Sequence, residues 1–159
     1  MKTLLIMRHG KAERTPGKRD FDRDLEPRGR TQAVDGAMAL KITENIPDRI
    51  ISSPAARAYH TADILRRECA LPEEVLQAIP SLYLCSLEEM VFQIRCCPDY
   101  VSTLLVVGHN PAMEYFSDQA TGNDSRIKTS EIRGFSLGET QWSRLDPGQL
   151  EYLGIIYSH

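Results

Sequence analysis

Two arginines and two histidines stand where short apolar runs give way to polar sequence. Arg8 and His9 end I-M-R-H-G, Arg57 closes I-S-S-P-A-A-R, and His109 follows V-V-G. Imidazole changes protonation near neutral pH and can act as nucleophile, base or acid, while guanidinium forks match the oxygens of a tetrahedral phosphoryl group. Placed together, the four side chains would bind an anion and act on it, and a phosphate suits the forks better than a carboxylate alone. In open α/β sheets ligands bind beyond the carboxyl ends of the strands, so the shared ending predicts that all four gather at one sheet edge. Arg57 falls in the first turn of its predicted helix and His109 just before another, so helix N-termini would add free N–H groups and positive field.

Each residue alone has a plainer reading. Arg-His-Gly is a short string that chance supplies often enough to mean little. A lone histidine after a strand is usually a hydrogen-bonded structural residue, and a surface arginine needs no special purpose. Zinc is the competing use of histidine, but His9, His60, His109 and His159 are widely separated, with no H-x-x-x-H or Cys/His pairing. No metal site is predicted, and the chemistry needs no metal or organic cofactor. It is the common placement of the four residues that favours a site.

The elements that must position them follow from periodicity. Leu4 to Met7 reads as a buried strand, followed by a long polar segment from Gly10 to Glu26. Pro27 can start a helix whose apolar face is Ala33, Val34, Ala37, Met38 and Leu40, running to about Asn45. Arg49-Ile50-Ile51 is a short strand, with Ser53 and Pro54 as N-cap and first residue of a second helix, its face Ala55, Ala58, Ala62, Leu65 and Cys69. A third strand over 75–79 leads to a helix over 86–95 with Leu87, Met90, Val91 and Ile94 inward. Leu104 to Val107 is the clearest strand, and Asn110-Pro111 opens a helix burying Met113, Phe116 and Ala120. Beyond Gly122, residues 132–137, 140–145 and 150–157 can each be read as strands. The pattern predicts a three-layer α/β/α sandwich with a mostly parallel central sheet and an antiparallel edge.

With 159 residues, 42% apolar and 26% charged, the chain has material for one domain over 1–159 and not comfortably for two. A net charge of −3 gives no global reason for nucleic-acid or membrane-surface binding, and the early apolar stretch is too short for a signal-peptide core or a membrane span. Cys69, Cys85, Cys96 and Cys97 have neither C-x-x-C spacing nor the density of a disulfide scaffold, so reduced thiols and a cytoplasmic location are expected.

Four segments carry a resemblance: L-L-I-M-R-H-G at 4–10, R-D-L-E-P-R-G-R-T-Q-A at 23–33, S-S-P-A-A-R-A-Y-H-T-A at 52–62 and V-V-G-H-N-P at 106–111. In order and spacing they resemble the histidine phosphatase superfamily. The short chain, Leu82-Tyr83 and Gly108 to Pro111 look most like its small phosphohistidine phosphatases of the SixA type. The resemblance implies His9 as nucleophile, His109 as second catalytic histidine, Arg8 and Arg57 as phosphate-binding residues, and a contribution from the Asn110 backbone N–H. It also implies a phosphorylated substrate, with a phosphohistidine-bearing protein as the SixA-type case.

Many members of the superfamily resemble one another in a Glu or Asp after the third strand that protonates the leaving group. This chain reads Ser81-Leu82-Tyr83-Leu84 there. Glu88, Glu89, Asp22 and Asp24 are all candidates, and none is singled out. Without a strong acid, a readily protonated leaving group such as imidazole is favoured over an alkoxide. The competing expectations are a phosphomonoesterase for a small metabolite such as a sugar phosphate, and a non-catalytic phosphate-binding module.

Overall fold

The apolar run at the start forms strand β1 (Lys2–Arg8), whose Leu4, Leu5, Ile6 and Met7 are all fully buried. A strand covered on both faces has no polar side to alternate, which is why this segment reads as a continuous hydrophobic run. A computed structural model describes residues 1–159.

Five further strands complete one sheet: β2 (Arg49–Ser52), β3 (Leu76–Ala78), β4 (Thr103–Gly108), β5 (Ile132–Gly138) and β6 (Glu151–Tyr157), in the order β3-β2-β4-β1-β5-β6. The pairs β1–β4, β2–β4 and β2–β3 are parallel; β5 is antiparallel to β1 and to β6. The mostly parallel sheet with an antiparallel edge is as the alternation of elements predicts.

Helices α1 (Pro27–Ile42) and α2 (Ala56–Glu68) cover one face, and α3 (Leu87–Arg95) and α4 (Ala112–Thr121) the other. Period-two alternation divides the core between them. Leu5 and Met7 join Ala37, Leu40, Ala58, Ala62 and Leu65, while Leu4 and Ile6 join Met90, Ile94, Met113, Phe116 and Trp142.

Three details depart from the sequence reading. Helix α1 ends at Ile42 rather than near Asn45, and Met38 is 52% exposed, whereas Gly36 lies on the buried stripe with Ala33, Ala37 and Leu40. A Cβ at Gly36 would come within 3.3 Å of the Ile132 side chain. The helix lies close on the sheet because the residue there is small, and a count of apolar residues passes over a glycine.

Residues 140–145 are not a strand. Trp142 to Arg144 make a single 3-10 turn that turns Trp142 wholly into the core, its indole N–H donating to the Val101 carbonyl at 2.9 Å. A large amphipathic ring with a partner for its one donor stabilises this plug better than half-burial in a strand would.

The third departure bears on the site. Ser53 does not cap α2, which begins at Ala56 behind Ala55 with no side-chain cap. Likewise Pro111 is the flanking residue of α4 rather than its first.

Candidate active site

Strand register builds the site. Arg8 pairs with Gly108 across β1 and β4, and Ser52 with Val107 across β2 and β4. The next residues, His9, His109 and Ser53, therefore leave three neighbouring parallel strands at the same edge, with His109 in the middle. The His9 N–H donates to the Gly108 carbonyl at 3.1 Å and the Ser53 N–H to Val107 at 3.1 Å, so the register persists past the strand ends. The His9 and His109 rings lie 5.3 Å apart between centroids.

His9 is held on both sides. Its Nδ1 lies 2.7 Å from the Gly10 carbonyl, and a carbonyl only accepts, so Nδ1 carries the proton and Nε2 the lone pair. The Gly10 N–H donates to Thr61 Oγ1 at 3.0 Å, and Thr61 Oγ1 donates to the Arg57 carbonyl at 2.6 Å, tying the histidine's neighbour to the first turns of α2. Burial, with the charges of His109, Arg57 and Arg8, pushes the His9 pKa down to about 3 against the opposing Gly10 bond. His9 is neutral at physiological pH.

His109 is 5% exposed, and burial followed by the charge of Arg57 lowers its pKa to about 4. Its Nε2 lies 2.8 Å from Ser53 Oγ, which also accepts the Ala55 N–H at 3.2 Å. The serine that S-P marked as a helix cap is instead a partner of the second histidine. That could have been read only from the strand register, which the sequence does not display.

Arg8 donates from Nη1 to the Ile127 carbonyl at 3.0 Å, and Asn110 Nδ2 donates to the same oxygen at 3.1 Å. The loop bearing Ile127 is itself held by Arg133, which is 5% exposed. Its Nη1 donates to Ser117 and Ser125 Oγ at 2.8 and 2.6 Å, Nη2 to the Arg126 carbonyl at 2.9 Å and Nε to Glu131 at 2.7 Å. A buried ion pair persists only when its hydrogen bonds are satisfied, and here they are spent on shaping one wall of the site. Sequence reasoning did not find this network.

Arg57, the second residue of α2, is 3% exposed and reaches the long loop: Nη1 donates to the Asp20 carbonyl at 2.7 Å and Nη2 to Asp20 Oδ2 at 3.0 Å. Residues 10–26 close back on themselves through an antiparallel bridge of Ala12 with Leu25. Lys11 lies so near Gly29 that a Cβ on that glycine would stand 2.1 Å from the Lys11 carbonyl oxygen. Any side chain there would force the loop away from α1, and Asp20 with it.

The structure thus brings Arg8, His9, Arg57 and His109 together. Six buried side-chain polar atoms have no partner in the protein, and four of them belong to Arg8 (Nε), Arg57 (Nε), His109 (Nδ1) and Asn110 (Oδ1). Buried polar atoms are costly unless paired, and the three that can donate, on Arg8, Arg57 and His109, suit an anion binding there, whereas Asn110 Oδ1 only accepts. No group of three or more His, Cys, Asp and Glu side chains is arranged to hold a metal ion.

Of the four carboxylates weighed as acids, three have partners elsewhere and none hydrogen-bonds to His9, His109, Arg8 or Arg57. Asp22 pairs with Arg19 at 2.7 Å, Asp24 with His60 at 2.6 Å, and Glu89 accepts from Gln93 at 3.0 Å, with Glu88 beside it on α3. Two carboxylates that the sequence reading did not select bear on the arginines of the site: Glu114, whose charge acts on Arg8, and Asp20, which bonds to Arg57; Asp20 is the more heavily engaged. Hydrogen bonds from Tyr83, Arg57 and Arg23 hold its carboxyl well below the usual range.

An α/β sheet with two histidines and two arginines at one edge is suited to binding a phosphoryl group, and comparison with known sequences gives the family. Residues 4–94 match the histidine phosphatase superfamily (branch 1). The chain is 34% identical to the uncharacterized protein Rv1276c of Mycobacterium tuberculosis (strain H37Rv), over 93% of this chain and 97% of that one. It belongs to the histidine phosphatase superfamily.

Among solved structures it is similar to a protein provisionally designated phosphohistidine phosphatase SixA from Agrobacterium tumefaciens, with TM-score 0.83, 25% identity and coverage of 99% and 98% of the two chains. The mycobacterial glucosyl-3-phosphoglycerate phosphatase Rv2419c shares the fold at TM-score 0.71 and 16% identity, over 99% of each chain. Phosphatase chemistry goes with the superfamily; the fold alone does not select the substrate.

Proposed function

We propose that the chain dephosphorylates phosphohistidine on a partner protein through a phosphoryl intermediate on His9. The observation that carries the reading is the locked tautomer of His9, whose Nδ1–H is engaged with Gly10 so that an unprotonated Nε2 remains as nucleophile. In the first step the Nε2 lone pair forms a bond to phosphorus, while the bond to the leaving nitrogen breaks with its electron pair and that imidazole, protonated from solvent on its other nitrogen, leaves neutral. In the second, water forms the new P–O bond, the bond to Nε2 breaks, and inorganic phosphate leaves. Arg8 and Arg57 neutralise the equatorial oxygens, and His109, kept in place by Ser53, donates to one of them.

The choice of leaving group rests on Asp20. Ionised and holding three donors, it is poorly suited to protonating an alkoxide, whereas an imidazole leaves without a strong acid. Surface shape supports a protein substrate. The roomiest clefts, about 470 Å³ beside α4 and about 480 Å³ beside α2, are not lined by His9, His109, Arg8 or Arg57. No helix is long and apolar enough to cross a membrane, and all four cysteines are free, which suits the proposed cytoplasmic setting.

The deciding experiment offers the protein phosphohistidine-bearing proteins and, in parallel, a panel of sugar phosphates and other phosphate esters, each with and without a chelator. Turnover of phosphohistidine far above any ester, unchanged by chelation, is the expected result. Preference for one small ester would replace the substrate assignment, and strict dependence on an added divalent ion would replace the mechanism.

A neutral nucleophile also dictates the pH profile. The unprotonated imidazole is the active form, so lowering its pKa moves the loss of activity to lower pH. The acid limb of kcat/KM should lie near pH 4 or below, not at the ordinary imidazole value of about 6.5. A limb near 6.5 that stayed in place when the substrate's own phosphate pKa was varied would contradict the buried, neutral His9.

A further inference from the structure

The long loop after His9 contributes one side chain that the phosphatase reading leaves without a role. Asp20 sits at the start of a short 3-10 turn (Asp20–Asp22), its side chain 44% exposed, yet it meets three donors from three different parts of the chain. Its Oδ2 accepts from Arg57 Nη2 at 3.0 Å and from the Tyr83 hydroxyl at 2.6 Å, and its Oδ1 accepts from Arg23 Nη1 at 2.9 Å. Its backbone carbonyl adds the bond from Arg57 Nη1 at 2.7 Å.

A guanidinium offers two forks. The end fork uses Nη1 and Nη2; the side fork uses Nε and the other hydrogen of Nη2. Asp20 takes the end fork with two oxygens of one residue, while Arg57 Nε is buried and has no partner in the protein. The side fork is what Arg57 has left for a second anion. Tyr83, held by the same carboxylate, sets its ring edge-on to His109 at 5.6 Å, and Phe21, the next residue after Asp20, packs edge-on to Tyr83 at 5.0 Å.

We infer that Asp20 is a positioning residue for the phosphoryl site: it grips Arg57 end-on so that the Nε side fork faces the substrate's oxygens. The inference rests on the phosphatase reading. Two other roles for the same contacts make opposite demands. A proton donor would have to be neutral, whereas three hydrogen-bond donors favour the ionised carboxylate. A carboxylate standing where the phosphoryl group goes would compete with it, so its removal would strengthen oxyanion binding.

A long, flexible side chain loses rotamer freedom when it binds, and gripping it beforehand removes that cost from the binding step. Charge-assisted bonds of this kind are among the stronger ones, so their loss should weaken oxyanion binding by about tenfold to a hundredfold.

The test compares wild type, Asp20→Asn, Asp20→Ala, Arg57→Ala and the Asp20→Ala/Arg57→Ala double variant. Tungstate, a tetrahedral oxyanion, is titrated calorimetrically, and kcat and KM are measured on a phosphohistidine substrate. Asp20→Ala should bind tungstate about tenfold to a hundredfold more weakly and raise KM more than it lowers kcat. Asp20→Asn, which keeps one oxygen for Nη2, should recover part of the loss. On the Arg57→Ala background the Asp20 substitution should add less than about twofold, because a residue acting through Arg57 has nothing left to act on.

Tighter tungstate binding by Asp20→Ala would make Asp20 a competitor, and an undiminished loss in the double variant would make it a structural residue of the loop. Either overturns the inference, as does wild-type affinity in both Asp20 variants. If Asp20→Ala does not fold, judged by its thermal midpoint, Asp20→Asn carries the same comparison. Wild-type protein that neither binds tungstate nor turns over would overturn the phosphatase reading itself, whereas an active wild type with indifferent Asp20 variants would overturn only the role of Asp20.

Discussion

Alanine at His9 is expected to abolish turnover, by on the order of a million-fold or more, the scale on which deleting a covalent nucleophile acts. The expectation follows from what surrounds the ring. Of the four side chains gathered at the site, only His9 has an Nε2 freed by a bond at Nδ1, here to the Gly10 carbonyl, while His109 has its Nε2 engaged with Ser53 and Arg8 and Arg57 have no lone pair to offer. Without the imidazole the phosphoryl group can still be bound, so tungstate affinity should survive where activity does not. Alkaline quench of wild type in mid-turnover should trap a phosphoryl adduct at His9, and the variant should show none. Folded His9→Ala protein turning over near the wild-type rate, or an adduct mapped to another residue, would remove the covalent mechanism.

The part of the site that was legible in the sequence is the part that buried strands carry. Leu4 to Met7 and Leu104 to Val107 are covered on both faces, so each appears as an unbroken apolar run whose end is easy to mark. The residues just past those ends could therefore be named before any geometry was known. That they meet also needed β1 and β4 to be neighbours in register, with Arg8 opposite Gly108, and no local pattern states which strands pair.

What was missed depends on contacts between segments far apart in the chain. Asp20 is one of many charged residues in the polar loop, and it is selected only because the Ala12–Leu25 bridge and the approach of Lys11 to Gly29 aim that stretch at α2. Asp22 and Asp24 were equal candidates by composition, but they spend their charges on Arg19 and His60. Ser53 shows a different kind of failure. Serine before proline is a sound sign that a helix is near, yet α2 starts three residues later, and the freed hydroxyl serves His109. Propensity describes what a residue does for its neighbours in sequence, and at an active site the neighbours in space can outbid them.

His109→Ala should behave differently from His9→Ala, leaving a measurable remnant of activity about a hundred to a thousand times below wild type. His109 lies 5.3 Å from His9 between ring centroids, and its Nδ1 is buried without a partner in the protein. The Ser53 hydroxyl already accepts the Ala55 N–H and can give its own proton to Nε2, which leaves the hydrogen of His109 on Nδ1, where a phosphoryl oxygen can receive it. Its pKa of about 4 keeps the ring neutral, so it contributes a directed hydrogen bond rather than a full charge. Removing one preorganised donor to a developing anion costs about a hundred- to a thousand-fold in rate, and Arg8, Arg57 and the intact nucleophile remain. The loss should fall mainly on kcat, since a donor that strengthens its bond as charge builds up contributes little to the ground state. The phosphoryl adduct on His9 should still form in the variant, more slowly, and be trapped by the same quench. A folded His109→Ala protein that forms no adduct at all would make the second histidine indispensable to the attack, and one with near-normal kcat would place it outside the reaction.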